Sequence, residues 1–187
     1  MLALGDEKTL SYPELYLRPD DRVALKGLNG TGKSSIIRRI VEALNVPDDH
    51  VVYLSQEIER RQARQILEQA RDLPNEQLGH LMTIVSRLGS RPRRLLESVE
   101  PSPGEIRKLL LALGMTRLPH IIIMDEPTNH MDLASIECLE SALAECPCCL
   151  LLVSHDTRFL SALTRSCWEI EADGQSSEGS YLLTCTE

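Results

Sequence analysis

Short runs of consecutive apolar residues alternate along the chain with segments in which apolar residues recur every three or four positions. The first pattern predicts strands that are buried on both faces, and the second predicts amphipathic helices. Strands are predicted at 23–25, 51–56, 120–126 and 148–156, and helices at 34–44, 57–71, 75–89, 104–115 and 133–145. The alternation favours a mostly parallel α/β sheet, and the pattern at 167–185 predicts an antiparallel hairpin at the sheet edge.

A helical region between residues 57 and 101 interrupts this alternation. We interpret it as a helical subdomain inserted into a single domain of residues 1–187. Eight arginines and six acidic residues at 57–99 give it a net charge of +2, whereas the whole chain carries −8. A solvated helix face and a surface for an anionic partner are both consistent with this charge.

The composition constrains the type of core, the partners and the cellular location of the protein. Hydrophobic residues make up 42% of the 187 positions, enough for a sizeable core, and aromatic residues only 3%, so the core must be aliphatic. The net charge of −8 argues against a nucleic acid covering the whole surface. No apolar run reaches the roughly 18 residues of a membrane span, and the first ten residues do not resemble a signal peptide. We therefore expect a cytoplasmic protein without direct membrane insertion.

Three of the six cysteines, Cys146, Cys148 and Cys149, lie close together and raise the alternative of a metal site. A structural zinc site needs a second pair of Cys or His at suitable spacing, and the sequence shows none. We expect Cys148 and Cys149 to be buried as small hydrophobic residues, with reduced thiols as is usual in the cytoplasm.

A glycine-rich segment follows the first predicted buried strand and precedes a helix. Its sequence GLNGTGKS matches the phosphate-binding pattern G-x-x-x-x-G-K-[ST] in the required strand–loop–helix context. The glycines let backbone N–H groups curve around phosphate oxygens, and the positive end of the helix points at the same anion. Lys33 would reach the β- and γ-phosphates, and the Ser34 hydroxyl would hold Mg²⁺. The predicted nucleotide-binding residues of this segment are Gly27, Leu28, Asn29, Gly30, Thr31, Gly32, Lys33, Ser34 and Ser35.

Two adjacent acidic residues, Asp125 and Glu126, end the buried strand IIIMD. Ligands of open α/β sheets bind at the carboxyl ends of strands, so we expect Asp125 to bind the Mg²⁺. Glu126, one residue further on, is suited to polarising the water that attacks the γ-phosphate. A polar strand end that caps the next helix is the alternative. The nucleotide interpretation requires both carboxylates and the loop that carries Lys33 to converge on one pocket.

With these two motifs the chain resembles the ATP-binding cassette (ABC) ATPases. GLNGTGKSS is similar to their Walker A loop, and IIIMDEP to their Walker B motif with its catalytic glutamate. Four further segments match in the family's order: the Q-loop glutamine at Gln56, the signature motif at 101–113, the D-loop at 129–132 and the switch histidine at His155. The resemblance covers nearly the whole chain and implies a P-loop NTPase core of the RecA-like type.

The resemblance also implies roles for these further residues. Gln56 would contact Mg²⁺ or the attacking water, and His155 would donate a hydrogen bond to the γ-phosphate, so both join Glu126 as expected catalytic residues. Ser102 and the Gly104 backbone, at a helix N-terminus, would bind the γ-phosphate held by the opposite subunit. The implied activity is Mg²⁺-dependent hydrolysis of ATP to ADP and phosphate by a sandwich dimer. As isolated features, Gln56 and His155 are better explained as a polar strand end and a helix cap, and only their combination with the other motifs favours the catalytic roles.

The segment EPTNHMD resembles class F of the family, whose members carry two cassettes in one chain and no membrane domain. This resemblance implies a ribosome-associated ATPase in translation or antibiotic resistance, with ribosomal RNA among its contacts. The second cassette would lie in the same longer chain, of which this chain would be one half, or in the second copy of a homodimer.

The chain departs from the family pattern at several positions. Pro103 stands where the signature motif usually has glycine and removes one backbone N–H donor, so we expect a weakened contact there. Leu28 replaces a common proline and is expected to be harmless. The family stacks adenine on an aromatic side chain upstream of Walker A. Tyr12 and Tyr16 lie too close to the loop for this, so we expect both to be strand residues and the aromatic platform to be absent.

Two alternatives remain open on the sequence alone. The chain would be the ATP-binding subunit of a membrane transporter if a separate membrane protein docked near the helical region. It would be a degenerate module that binds nucleotide without hydrolysing it if Pro103 and the short leader remove essential contacts.

Overall fold

The computed structural model shows a sheet that is mixed but mostly parallel, and it describes residues 1–5, 8–98, 100–129, 131–173 and 179–186. The strands in these ranges are β1 (Leu2–Gly5), β2 (Lys8–Ser11), β3 (Arg22–Gly27), β4 (Val51–Leu54), β5 (Ile121–Asp125), β6 (Cys149–Val153), β7 (Ser166–Ala172) and β8 (Ser180–Thr186). They form one sheet in the order β1-β2-β8-β7-β3-β6-β5-β4. Strands β7, β3, β6, β5 and β4 are parallel, whereas β8 is antiparallel to β7. The predicted α/β class is therefore confirmed.

The five helices with predicted bounds are present, with ends that differ from the prediction by at most three residues; a sixth lies in the predicted helical region at 57–101 and a seventh follows the strand predicted at 148–156. They are α1 (Lys33–Ala43), α2 (Arg60–Arg71), α3 (Asn75–Arg87), α4 (Pro92–Glu97), α5 (Pro103–Met115), α6 (Leu133–Ala144) and α7 (Thr157–Leu163). Helix α5 begins one residue before the predicted start because Ser102 caps it: the Glu105 N–H donates to Ser102 Oγ over 3.3 Å. None of the helices in the described ranges has both the length and the apolar character needed to cross a membrane.

Apolar side chains pack on both faces of the parallel strands. Along β5, Ile121 and Ile123 belong to the cluster that also contains Ile36 and Ile37 of α1. Their neighbours Ile122 and Met124 belong to the opposite cluster, which is covered by helices α2 to α7. Burial on both faces explains why these strands are apolar at every position instead of at every second one.

The helical region between β4 and β5 packs onto the same core. Helices α2 and α3 contact α5, and their buried residues join the cluster that contains Ile122. These residues are Ile66, Leu67 and Ala70 of α2 and Leu81, Ile84 and Val85 of α3. The structure thus has helices where the sequence predicts them, while their status as a distinct inserted subdomain stays a prediction.

The N-terminal strands differ from the prediction. Strand β1 pairs with β2, and β2 pairs with β8, so β1 and β2 form the edge of the sheet. The hairpin of β7 and β8, which the sequence predicts at the edge, lies next to them in the interior of the sheet. The prediction that Tyr12 and Tyr16 are strand residues is wrong, since both follow the end of β2 in an irregular segment. Strands of four residues are too short to show a clear hydrophobic pattern. Their strand conformation depends on pairing with β8, which is distant in sequence.

The close packing of α5 on β4 generates a prediction. A Cβ atom at Gly114 would lie 2.2 Å from Val52 Cγ2, which is buried in the core. Replacing Gly114 with alanine improves helix propensity by up to ~1 kcal/mol, but overpacking of a core costs about 1–3 kcal/mol. We therefore expect Gly114→Ala to lower the free energy of unfolding, measured by denaturant titration.

Gly79→Ala in α3 is the matched control, because a Cβ there meets no atom of the described residues within 4 Å. This variant should raise the free energy of unfolding by about 0.5–1 kcal/mol. If Gly114→Ala were stabilising to the same extent, the described contact with Val52 would be wrong.

Candidate functional site

A cleft at the carboxyl ends of the parallel strands brings together most of the predicted site residues. Because β3, β6, β5 and β4 are parallel neighbours, the residues that follow them meet at one edge of the sheet. The cleft has a volume of ≈ 530 Å³.

The residues that line the cleft are Leu4, Asn29, Gly30, Gly32, Lys33, Ser34, Ser35, Gln56, Asp125, Glu126, Asn129 and His155.

The loop between β3 and α1 contains two positions that require glycine. The φ angles of Gly27 and Gly32 are 153° and 96°, a region that other residues rarely adopt. A Cβ atom at Gly27 would lie 2.9 Å from the Ile170 carbonyl oxygen, and one at Gly32 would lie 2.6 Å from Leu4 Cδ2. The two glycines therefore let the loop pass close to β7 and β1.

Lys33 is the first residue of α1, and its side chain turns back over the loop. Its ammonium group donates hydrogen bonds to the carbonyl oxygens of Gly27 and Leu28, over 2.8 and 3.0 Å. The Thr31 hydroxyl donates to the Leu28 carbonyl over 2.8 Å, which folds the loop further. The first N–H groups of a helix have no acceptor within the helix, so the loop combines N–H donors, a helix N-terminus and a cation. This combination suits a phosphate group.

A hydrogen bond of 2.6 Å from Ser34 Oγ to Asp125 Oδ2 joins α1 to the end of β5. The two oxygens come from the two motifs that the sequence predicts to share a metal ion. Burial, and then the negative charge of Asp125, raise the pKa of Tyr53 on neighbouring β4. A hydroxyl and a carboxylate are oxygen ligands of the kind that Mg²⁺ binds.

Glu126 lies directly after β5 in a left-handed backbone conformation, with φ 53°. Its N–H donates to the Val153 carbonyl over 2.8 Å, and the residue is only 5% exposed. Its Oε2 accepts a hydrogen bond from the His155 N–H over 3.3 Å. Its buried Oε1 lies 3.4 Å from His155 Nε2 but has no hydrogen bond within the described residues. A strained backbone and an unsatisfied carboxylate oxygen are features that functional sites often have.

Gln56 and Asn129 reach the cleft from the segments that follow β4 and β5. Their carbonyl oxygens both accept hydrogen bonds from the guanidinium group of Arg107 in α5, the one to Asn129 over 3.0 Å. The two segments are thus tied to the same buried side chain.

Ser102 and Gly104 do not reach this cleft. They line a separate pocket of ≈ 360 Å³, together with residues that include Arg91, Arg94 and Lys108. The Ser102 hydroxyl donates to Glu105 Oε2 over 2.9 Å, so it takes part in capping α5. Within one copy of the chain, the structure therefore separates the predicted signature residues from Lys33 and Asp125.

The remaining predicted residues lie in the loop or at a helix end without lining the cleft, or they lie outside the described residues. Gly27, Leu28 and Thr31 belong to the loop but do not line the cleft, and Leu28 is 80% exposed. His130 of the predicted D-loop lies outside the described residues. Asp132 of the same segment caps α6, since its Oδ1 accepts the Ser135 N–H over 2.7 Å.

Sequence reasoning missed Leu4, Asn129 as a lining residue and Arg107. Leu4 is the one apolar side chain among the described residues that line the cleft. Its strand was not predicted, so no signal pointed to it. Arg107 lies in a helix whose apolar pattern predicts that this position is buried. A charged residue at a buried position is unusual, and this was the signal that could have identified it.

Comparisons with known proteins identify the family of the chain. The family profile described as "ABC transporter" matches residues 10–129. The ATP-binding protein Uup of Caulobacter vibrioides is 32% identical over 179 residues, which cover 91% of this chain and 29% of that protein. The ATP-binding cassette sub-family F member 2 of Mus musculus is 29% identical over 81% of this chain and 26% of that protein.

A third relative is the ribosome protection protein VmlR of Bacillus subtilis, 30% identical over 92% of this chain and 33% of that protein. The chain thus spans about a third or less of the length of these curated relatives. Among solved structures, one titled "Structure of ATP binding subunit of ABC transporter" superposes with a TM-score of 0.66 at 20% identity, covering 83% of this chain and 76% of that chain. Family members in general bind ATP with Mg²⁺. The chain therefore belongs to the ABC transporter family, as an ATP-binding cassette ATPase domain of the class F type.

Proposed function

We propose that the chain binds ATP with Mg²⁺ in the cleft and hydrolyses it to ADP and phosphate. The observation that carries the proposal is the 2.6 Å hydrogen bond between Ser34 and Asp125, with Lys33 and Glu126 in the same cleft. A polar strand end that only caps the next helix would not need the glycine loop beside it. Asp132, and not Glu126, caps α6.

The residues of the cleft fit a magnesium–triphosphate group. Lys33, Ser34 and Asp125 line the same cleft, and Glu126 Oε1 is a buried oxygen without a hydrogen bond in the described residues. Lys33 and the loop N–H groups would hold the phosphates, while Ser34 and Asp125, with Gln56, would hold Mg²⁺. The metal ion would supply positive charge that offsets the charge on the phosphate oxygens.

Glu126 and His155 would act on the attacking water. The Glu126 carboxylate is held by the His155 N–H, and its free oxygen would accept a proton from that water. The His155 side chain is 63% exposed, so its ring can turn towards a γ-phosphate and donate a hydrogen bond. Catalysis in this scheme consists of positioning and charge stabilisation.

The nucleobase would meet an aliphatic surface in this cleft. Neither Tyr12 nor Tyr16 lines it, whereas Leu4 does. An aliphatic side chain provides apolar contact without aromatic stacking, so we infer that most of the binding free energy comes from the triphosphate.

A second cassette would complete the site. Ser102 and Gly104 lie in a separate pocket, so in a sandwich dimer they would face the triphosphate bound by the other cassette. The partner would be the other half of a longer chain or a second copy. Pro103 at the first position of α5 has no N–H to donate, so we expect this contact to be weaker than one that a glycine would make.

The cellular role that we propose is that of a cytoplasmic, ribosome-associated factor of class F. The relatives support it, since one is a sub-family F member and another is a ribosome protection protein. The arginine-rich region at 57–101 would then be an inserted subdomain that can face RNA, given its net charge of +2 over residues 57–99.

A transporter subunit is the second candidate, favoured by the family description and by the solved ATP-binding subunit. Fractionation of cells that express the chain separates the two. Sedimentation with ribosomes, reversed by high salt, supports the class F role, and retention on membranes supports the transporter role.

Removal of the Lys33 ammonium should abolish nucleotide binding. We expect Lys33→Ala to weaken ATP affinity by at least ~100-fold, because a cation that contacts two phosphates is lost. Isothermal titration calorimetry measures this effect. Lys26→Ala removes an exposed lysine of β3 and is the matched control, with affinity expected to stay within about twofold. Equal affinities for the two variants would contradict the phosphate role of Lys33.

Neutralising Glu126 should separate binding from hydrolysis. Glu126→Gln keeps the shape of the side chain but cannot accept a proton, so kcat should fall by about 10²-fold or more while ATP stays bound. A phosphate-release assay and a binding titration measure the two quantities. Glu140→Gln is the control, because Glu140 also has a buried oxygen without a hydrogen bond in the described residues but does not line the cleft. Hydrolysis by Glu126→Gln at the parental rate would show that another group activates the water.

A further inference from the structure

Arg107 is a buried cation that connects three segments of the site. The residue is 6% exposed and lies in the second turn of α5. Its guanidinium group donates to the Gln56 carbonyl oxygen through one nitrogen and to the Asn129 carbonyl oxygen, at 3.0 Å, through another. Both acceptor residues also line the cleft.

We propose that Arg107 is a positioning residue that holds the Gln56 and Asn129 segments in register and connects them to the start of α5. This inference rests on the proposed ATPase function and gives a role to Arg107, a residue of the 101–113 segment to which the sequence analysis assigned none. Arg107 itself does not line the cleft, so it acts through the two backbone carbonyls.

The chemistry of the guanidinium group makes this link specific to arginine. Its planar fork donates in two fixed directions at once, whereas a lysine ammonium is a compact point charge on a flexible stem. Burial lowers the pKa of Arg107 and the charge of Glu57 raises it, yet an arginine stays protonated in proteins. A buried charge needs hydrogen-bond acceptors, so removing either carbonyl contact is costly.

The link spans the two pockets. Helix α5 begins at the Ser102 cap, which lines the separate pocket, and Arg107 lies in the next turn of the same helix. A displacement of the α5 N-terminus would therefore move the donor for both carbonyls in the cleft. Arg107 is the physical connection through which a ligand at Ser102 would alter the setting of Gln56 and Asn129.

The test compares Arg107→Met and Arg107→Lys with Arg22→Met. Arg22 is a matched control because its guanidinium group also donates to two carbonyls, those of Leu143 and Cys146, at the opposite end of the sheet. We expect both Arg107 variants to lower kcat by about tenfold or more, since small misplacements at a reacting centre have large effects. ATP affinity should change by less than about threefold, because Lys33 and the loop are untouched.

Hydrogen–deuterium exchange provides a readout that does not depend on turnover. Amide exchange at residues 55–58 and 128–132 should be faster in the Arg107 variants than in the parent and in Arg22→Met. If Arg107→Met does not fold, Arg107→Lys carries the same comparison. In a Gln56→Ala background, the effect of Arg107→Lys on kcat should shrink, because the two changes act through one segment.

Two outcomes distinguish a failure of this inference from a failure of the proposed function. If the parent hydrolyses ATP and the Arg107 variants keep its kcat and its exchange rates, Arg107 is only structural and the inference is overturned. If the parent binds no ATP, the proposed function fails and the inference fails with it.

Discussion

The parallel pairing of β3, β6 and β5 is the constraint on which the site depends. Strand β6 lies between the other two, with Val23 beside Leu151 and Asp125 beside Val153. Parallel strands in register bring their carboxyl ends to one edge. The glycine loop after β3 and the acids after β5, almost a hundred residues apart in the chain, therefore meet, and the Ser34–Asp125 hydrogen bond closes the arrangement.

The same constraint explains the character of the residues at the edge. Burial on both faces fixes β5 so firmly that Glu126 can be held in a left-handed conformation at its end. Helix α5 packs on β4 through Gly114 and carries Arg107 to the two segments that flank the acids. The packing of the core therefore sets the positions of the residues in the site.

Local signals were sufficient to predict the buried strands, the loop at 27–34 and the acid pair, because each lies in one short segment. The pairing of β1 and β2 with β8 was not predictable, since four-residue strands depend on distant partners. Leu4 was missed for the same reason. Arg107 gave a local signal, a charged residue in an apolar helical pattern, but that signal did not reveal its distant partners Gln56 and Asn129. The resemblance to ABC ATPases implies that Ser102 acts on the nucleotide of the opposite subunit, and its separation from Lys33 within one chain agrees with this. The residues alone did not indicate the separation.

The most direct test of the account is a crystal structure of the chain with Mg²⁺ and a non-hydrolysable ATP analogue. The account predicts the triphosphate along the 27–34 loop, within hydrogen-bond reach of Lys33 Nζ, and Mg²⁺ bound at about 2.1 Å by Ser34 Oγ with Asp125 beside it. A nucleotide bound elsewhere on the chain, with Ser34 and Asp125 still joined only to each other, would contradict it.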